Sequence, residues 1–194
     1  MAKNIEIKAR ISDVEFCLDT AWSLSGKEPE IIKQEDTFFI CERGRLKLRI
    51  LSPEYGELIF YKREDSTGPK TSEYYISSSN EPYRLLDVLT KAHDIRGRIT
   101  KIRKLFIVGR TRIHIDHVEN LGNFLEFEVV LNEKEKASEG KKEADSLINT
   151  FNIEQDDLIS GSYVDLINSL LPSLVPTQKA GRHAYRRRMV RHWH

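Results

Sequence analysis

Short segments of this chain alternate strictly between apolar and charged residues, and the pattern recurs along most of its length. In NIEIKAR (Asn4–Arg10), Ile5 and Ile7 alternate with Glu6, Lys8 and Arg10. In RLKLRI, Arg45, Lys47 and Arg49 share one side, with Leu46, Leu48 and Ile50 on the other. RIHID sets Arg112, His114 and Asp116 against Ile113 and Ile115, and FLEFE sets Glu126 and Glu128 against Leu125 and Phe127. Lys101 and Arg103 again stand two apart in KIRKL. Side chains that repeat every second residue lie on one face of a strand, so each segment reads as a β-strand with one apolar and one charged face. LIFYKR is less regular, because Lys62 shares its side with Leu58 and Phe60.

Turn residues separate these strands at Arg43-Gly44, Pro53–Gly56, Gly68-Pro69, Gly109-Arg110 and Asn120–Gly122. Further strands are read at DTFFIC and TSEYYIS. Helices are expected where apolar residues follow a longer period. Ser12 and Glu15 have capping-box spacing ahead of Val14, Cys17, Leu18, Ala21 and Trp22, and Gly26 is a stop. Residues 82–95 carry Leu85, Leu86, Leu89 and Ala92 on one side, and Lys134–Phe151 places Ala144, Leu147, Ile148 and Phe151 inward. SYVDLINSLL forms a last short helix, in which Tyr163 is read as a packing residue. Short turns between consecutive strands imply antiparallel pairing, hence an α+β fold rather than an α/β one.

The chain has 194 residues, 39% hydrophobic and 31% charged, enough for one domain with a substantial core. No apolar run approaches the ~18 residues of a membrane span, and no signal-peptide pattern opens the sequence, so a cytoplasmic protein is expected. Cys17 and Cys41 have no metal-ligand spacing and read as free thiols. The formal charge of +1 hides an asymmetry. Pro172–His194 contains six of the 31 Lys and Arg residues and no acid, leaving 25 bases against 30 acids in residues 1–171. The body is therefore acidic and lacks the basic footprint of a nucleic-acid binder. Any nucleic-acid contact is expected only through the basic tail, 172–194, which is read as disordered and separate from the folded domain, 1–171.

Charged strand faces are commonly solvated. Here, however, bases gather at 45–49, 62 and 101–103 and acids at 116 and 126–128. A barrel with its apolar faces outward, under the amphipathic helices, would enclose these charges. Such an interior is costly unless a ligand compensates it. Rows of Lys and Arg suit a polyphosphate, and clustered carboxylates suit Mg²⁺ or Mn²⁺. No Walker A pattern is present, so side chains on strands would have to grip the phosphates.

IEIK, the strand bearing Lys101 and Arg103, and DHVENLGNFLEFE together resemble the CYTH superfamily of triphosphate tunnel metalloenzymes. The likeness runs from about Asn4 to Leu171 and is greatest to the class IV adenylate cyclase branch. It implies an eight-stranded antiparallel β-barrel, or tunnel, with a charged interior and flanking helices. It also implies a triphosphate substrate bound with Mg²⁺ or Mn²⁺, and a homodimer. Glu6 and Lys8 match the second acid and the lysine of the ExExK motif, and with Glu128 they are the expected catalytic residues. Lys8, Arg49, Lys62, Lys101 and Arg103 match phosphate-gripping positions, with Lys47 as an addition. Glu6, Asp116, Glu126 and Glu128 match metal-holding acids. Asn4 replaces the first acid of ExExK and offers a metal only a neutral oxygen. His114 shares the polar face as a hydrogen-bonding residue. The expected activity is metal-dependent triphosphate hydrolysis. Cyclisation of ATP to cyclic AMP and pyrophosphate, or non-catalytic polyphosphate or nucleotide binding, are the alternatives.

Overall fold

A computed structural model describes residues 2–170 except 64 and 133, so the basic tail and Leu171 lie outside the described residues. Its strands are β1 (Ala2–Arg10), β2 (Glu30–Phe39), β3 (Arg45–Ser52), β4 (Tyr55–Arg63), β5 (Lys70–Ser79), β6 (Ile95–Val108), β7 (Thr111–Val118) and β8 (Gly122–Leu131). The helices are α1 (Val14–Ser25), α2 (Pro82–Ala92), α3 (Ala137–Thr150) and α4 (Tyr163–Leu170). β2 to β5 form one meander and β6 to β8 another, joined where β2 pairs with β6. β1 lies between β5 and β8 and closes the barrel, with every pair antiparallel. Among the described residues no helix is long and apolar enough to cross a membrane.

The apolar faces point outward. Ile5, Ile7 and Ala9 of β1 join Ile113, Ile115, Leu125, Phe127 and Val129 in a cluster with Cys17 and Ala21 of α1 and Ala144 of α3. Full burial of each such aliphatic or aromatic side chain contributes roughly 1.5–3 kcal/mol, so this layer between strands and helices is the main core. Gly140 lets α3 lie against β1, because a Cβ there would meet Ile5 Cγ1 at 2.8 Å. α2 covers Phe39, Leu48 and Ile50 through Leu89. Cys17 and Cys41 are free thiols, and burial, aided by Asp13, pushes the Cys17 thiol up to about 11.

Element ends differ from the sequence reading where local chemistry competes. Asp13, not Ser12, caps α1: its carboxylate accepts from the Phe16 N–H at 2.9 Å. α2 ends at Ala92 and Ile95 already belongs to β6, so the helix is shorter and the strand longer than periodicity suggests. β2 likewise begins at Glu30, well before Asp36. Gly26 does end α1 in the left-handed conformation, at φ 63°.

At one end of the barrel the inner face turns apolar. Phe38, Ile99, Val118 and Phe124 pack there against Tyr163 and Val164 of α4. Gly97 admits that helix, since a Cβ would stand 2.5 Å from Val164 Cγ2. The charged part of the interior lies beyond this plug.

Candidate functional site

Strand register decides which charges meet inside. Glu6 stands opposite Glu128 and Lys8 opposite Glu126 between β1 and β8. β7 sets Arg112 opposite Glu128 and His114 opposite Glu126, and β6 sets Arg103 opposite Asp116. Apart from Glu6 and Glu128, which face each other, acids on one strand thus face bases or the His114 imidazole across these pairs.

Two buried aspartates organise the cations. Asp116 is 0% exposed. It accepts from Arg103 Nε and Nη2 at 2.7 Å each, from Lys101 Nζ at 2.9 Å and from the Tyr163 hydroxyl at 3.0 Å. Asp36 accepts from Lys47 Nζ at 2.8 Å and from Arg49 Nε and Nη2 at 2.9 and 3.1 Å. Burial alone would raise both carboxyls, but the adjacent cations outweigh it and hold them well below the usual carboxylate range. With both oxygens committed, each aspartate orients bases. Asp116, expected among metal-holding acids, does not line the cavity.

Glu6, Glu126 and Glu128 do line it. Glu126 pairs with Lys8 at 3.0 Å and with Arg103 Nη2 at 2.7 Å, while Glu6 pairs with Arg63 Nη1 at 2.8 Å. Glu128 has the loosest partner, Arg112 Nη1 at 3.3 Å. Burial would raise Glu126 and Glu128; Lys8 chiefly lowers the first and His114 the second, so both lie below the ordinary value. His114 Nδ1 and one oxygen from each of these glutamates lie within 4.8 Å of one another. Burial and then Arg103 lower the His114 pKa, against the opposing pull of Glu128 and Glu126. That nitrogen is buried without a hydrogen-bond partner, as is Asn4 Oδ1. Asn4 Oδ1, a neutral oxygen beside carboxylates, fits a divalent cation, whereas Arg103 donates to His114 Nε2 and so leaves the ring proton on Nδ1, facing Glu126 and Glu128.

The space between the lining side chains amounts to about 790 Å³, part of it open solvent. Seven of its lining side chains are cationic and four anionic, so it attracts an anion. Arg63 adds a specific demand, because its Nε and Nη2 are buried without acceptors.

Of the residues singled out in the sequence, Asn4, Glu6, Lys8, Lys47, Arg49, Lys101, Arg103, Glu126 and Glu128 come together in this cavity. Lys62 does not: it is exposed on the outer face, and Arg63 takes the inward position. The strand offered no contrast to reveal this, since Leu58 and Phe60 point one way and Ile59 and Tyr61 the other. Asp36, Arg63 and Arg112 also escaped assignment. Gln34 and Asp36 do alternate on β2, which is the signal that a longer strand would have exposed. Tyr163 is more than a packing residue: besides its bond to Asp116, its ring carries Lys8 Nζ at 4.0 Å from the centroid.

Burial and Arg103 push Lys101 down to about 7 from 10.5, against the pull of Asp116. Between those values the unfolded chain binds the extra proton, so this residue makes the unliganded protein more stable as pH rises from 7. The largest slope it can supply is about 1.4 kcal/mol per pH unit. Lys101→Met removes that slope and leaves Asp116 held by Arg103 and Tyr163. Urea unfolding of both proteins at pH 7 and pH 9 measures the difference; equal slopes would contradict the assignment.

The family model of the CYTH domain matches residues 2–163. No curated protein sequence matches the chain. Among solved structures, a protein of Pyrococcus horikoshii superposes with a TM-score of 0.70 at 20% identity, covering 84% of this chain and 98% of the other. A proposed adenylate cyclase from Vibrio parahaemolyticus gives 0.70 at 18% identity, covering 85% and 97%. A proposed adenylyl cyclase from Hippeastrum, with a dominant triphosphatase activity, gives 0.60 at 14% identity, covering 87% and 96%. At these identities the likeness is one of fold.

Proposed function

Because the chain belongs to the CYTH domain family, whose members are triphosphatases or adenylate cyclases, we propose that it hydrolyses a triphosphate inside the barrel with the help of Mg²⁺ or Mn²⁺. The observation that carries this reading is the excess of buried cations, with Arg63 N–H groups left without acceptors. A buried donor without an acceptor costs about 1–3 kcal/mol, and phosphate oxygens would meet that demand with charge-assisted bonds.

Lys8, Lys47, Arg49, Lys101 and Arg103 bind the phosphate chain, and Arg63 and Arg112 extend the grip. Asp36 and Asp116 hold their bases in place before substrate arrives, so little reorganisation remains for the bound state. Glu6, Glu126 and Glu128 hold the divalent cation, with Asn4 contributing a neutral oxygen. Bound there, it would polarise a phosphoryl oxygen as a Lewis acid. Lys8 and Arg103 already touch Glu126, so they stand beside the same phosphoryl group and absorb charge as it develops.

Phosphorus NMR of the protein with ATP, and separately with tripolyphosphate, each with Mg²⁺ or Mn²⁺, tests the reaction. Orthophosphate is the expected product. Pyrophosphate with a cyclic nucleotide would make the protein a cyclase instead, and no product from either substrate would leave a binding module.

A further inference from the structure

Lys70, the first residue of β5, is a buried cation that does not line the cavity. Its Nζ donates to the Ser66 carbonyl at 2.9 Å, to the Ile159 carbonyl at 3.1 Å and to the Ser160 carbonyl at 2.9 Å. An ammonium has three protons, so these three carbonyls use all of them and leave none for a phosphate. A charge buried among neutral groups is costly, and an apolar side chain would serve packing better. What the lysine gains is a fixed position for the backbone at Ile159 and Ser160.

That backbone leads straight into the site. β5 pairs with β1 only as far as Lys70 opposite Glu6. Beyond that point Leu158 bridges to Ala9, and the Ile159 N–H donates to the Lys8 carbonyl at 2.8 Å. The strap Leu158–Ser160 therefore takes over the edge of β1 that β5 leaves, with Lys70 at the handover. A short turn follows, in which Asp165 accepts from the Ser162 N–H at 2.8 Å and from its hydroxyl at 2.7 Å. Tyr163 then opens α4. Its hydroxyl donates to Asp116, and its ring centroid lies 4.0 Å from Lys8 Nζ and 5.0 Å from Lys101 Nζ. We propose that Lys70 is a positioning residue: by clasping the strap it sets Tyr163 against Lys8, Lys101 and Asp116, and so holds the cations that take up the phosphates. This rests on the reading of the charged region as a triphosphate site. Lys70 itself touches no substrate and acts through Tyr163.

Calorimetric titration of the full chain with inorganic tripolyphosphate tests this, with EDTA present so that nothing turns over. Lys70→Met keeps the stem and removes the ammonium; Tyr163→Leu keeps an apolar side chain and removes the ring and hydroxyl. Each is expected to weaken binding about tenfold. In the Tyr163→Leu background, Lys70→Met should cost less than about twofold more, because residues that act through one another are not additive. Thermal melts of the same preparations show that the variants are folded. Should Lys70→Met not fold, Lys70→Gln, which keeps an N–H donor without the charge, replaces it in the same comparison. Wild-type affinity in either single variant, even beside a lowered melting temperature, would overturn the inference. Equal losses from Lys70→Met in both backgrounds would trace its effect to charge alone and overturn it as well. Wild-type protein that binds no tripolyphosphate would overturn the triphosphate reading and this inference with it.

Discussion

Glu128→Gln is expected to cut the proposed metal-dependent triphosphate turnover sharply while leaving the fold intact. The substitution keeps the shape and removes the charge, so what is lost is the carboxylate's hold on a cation. Losses on the order of 10²- to 10³-fold follow when one charge-stabilising group is removed from a preorganised site. Among the cavity acids this is the cleanest position for such a test. Glu126 answers to Lys8 and Arg103, and Glu6 to Arg63, so neutralising either strands a buried cation. Glu128 has Arg112 at 3.3 Å, a side chain 43% exposed that water can satisfy, and His114 Nδ1 only at 3.8 Å. Steady-state phosphate release and a thermal melt on the same preparation check both halves. Retained turnover would remove Glu128 from the site, and a collapsed melt would make its role structural.

Arg103→Ala is expected to destabilise the unliganded protein by about 3–5 kcal/mol, in addition to weakening triphosphate binding. Rows of bases in the sequence suggest the opposite for the fold, since like charges crowded in an interior repel. The structure reverses that sign. Arg103 bonds to both oxygens of Asp116 and to Glu126, and its Nη1 lies 3.4 Å from His114 Nε2. Removing it leaves two buried carboxylates short of a partner, which costs more than the relieved repulsion returns. Chemical unfolding without ligand measures this directly. A variant as stable as wild type would show that Lys101, Lys8 and Tyr163 suffice to hold Asp116 and Glu126.

The two expectations differ because sequence shows which charges share a face but not which strands lie side by side. In sequence, bases and acids look segregated by strand. In the barrel, Asp36 lies against Lys47 and Arg49, and Asp116 against Lys101 and Arg103. Pairing of β2 with β3 and of β6 with β7 creates those contacts.

Period-two alternation in β1, β3, β7 and β8 determined from sequence alone that these are strands with one charged face, because a pleated backbone sends successive side chains to opposite sides. The spacing of apolar residues did the same for the helices, and the residues around Asn4, Glu6, Lys8, Glu126 and Glu128 marked the family. Only the tertiary structure decided that Arg63 and not Lys62 points inward, because both faces of β4 are partly apolar and a one-residue change of phase exchanges them. It also decided the partners of each interior charge and the place of Tyr163 over Lys8, since barrel closure and the docking of α4 join residues remote in the chain.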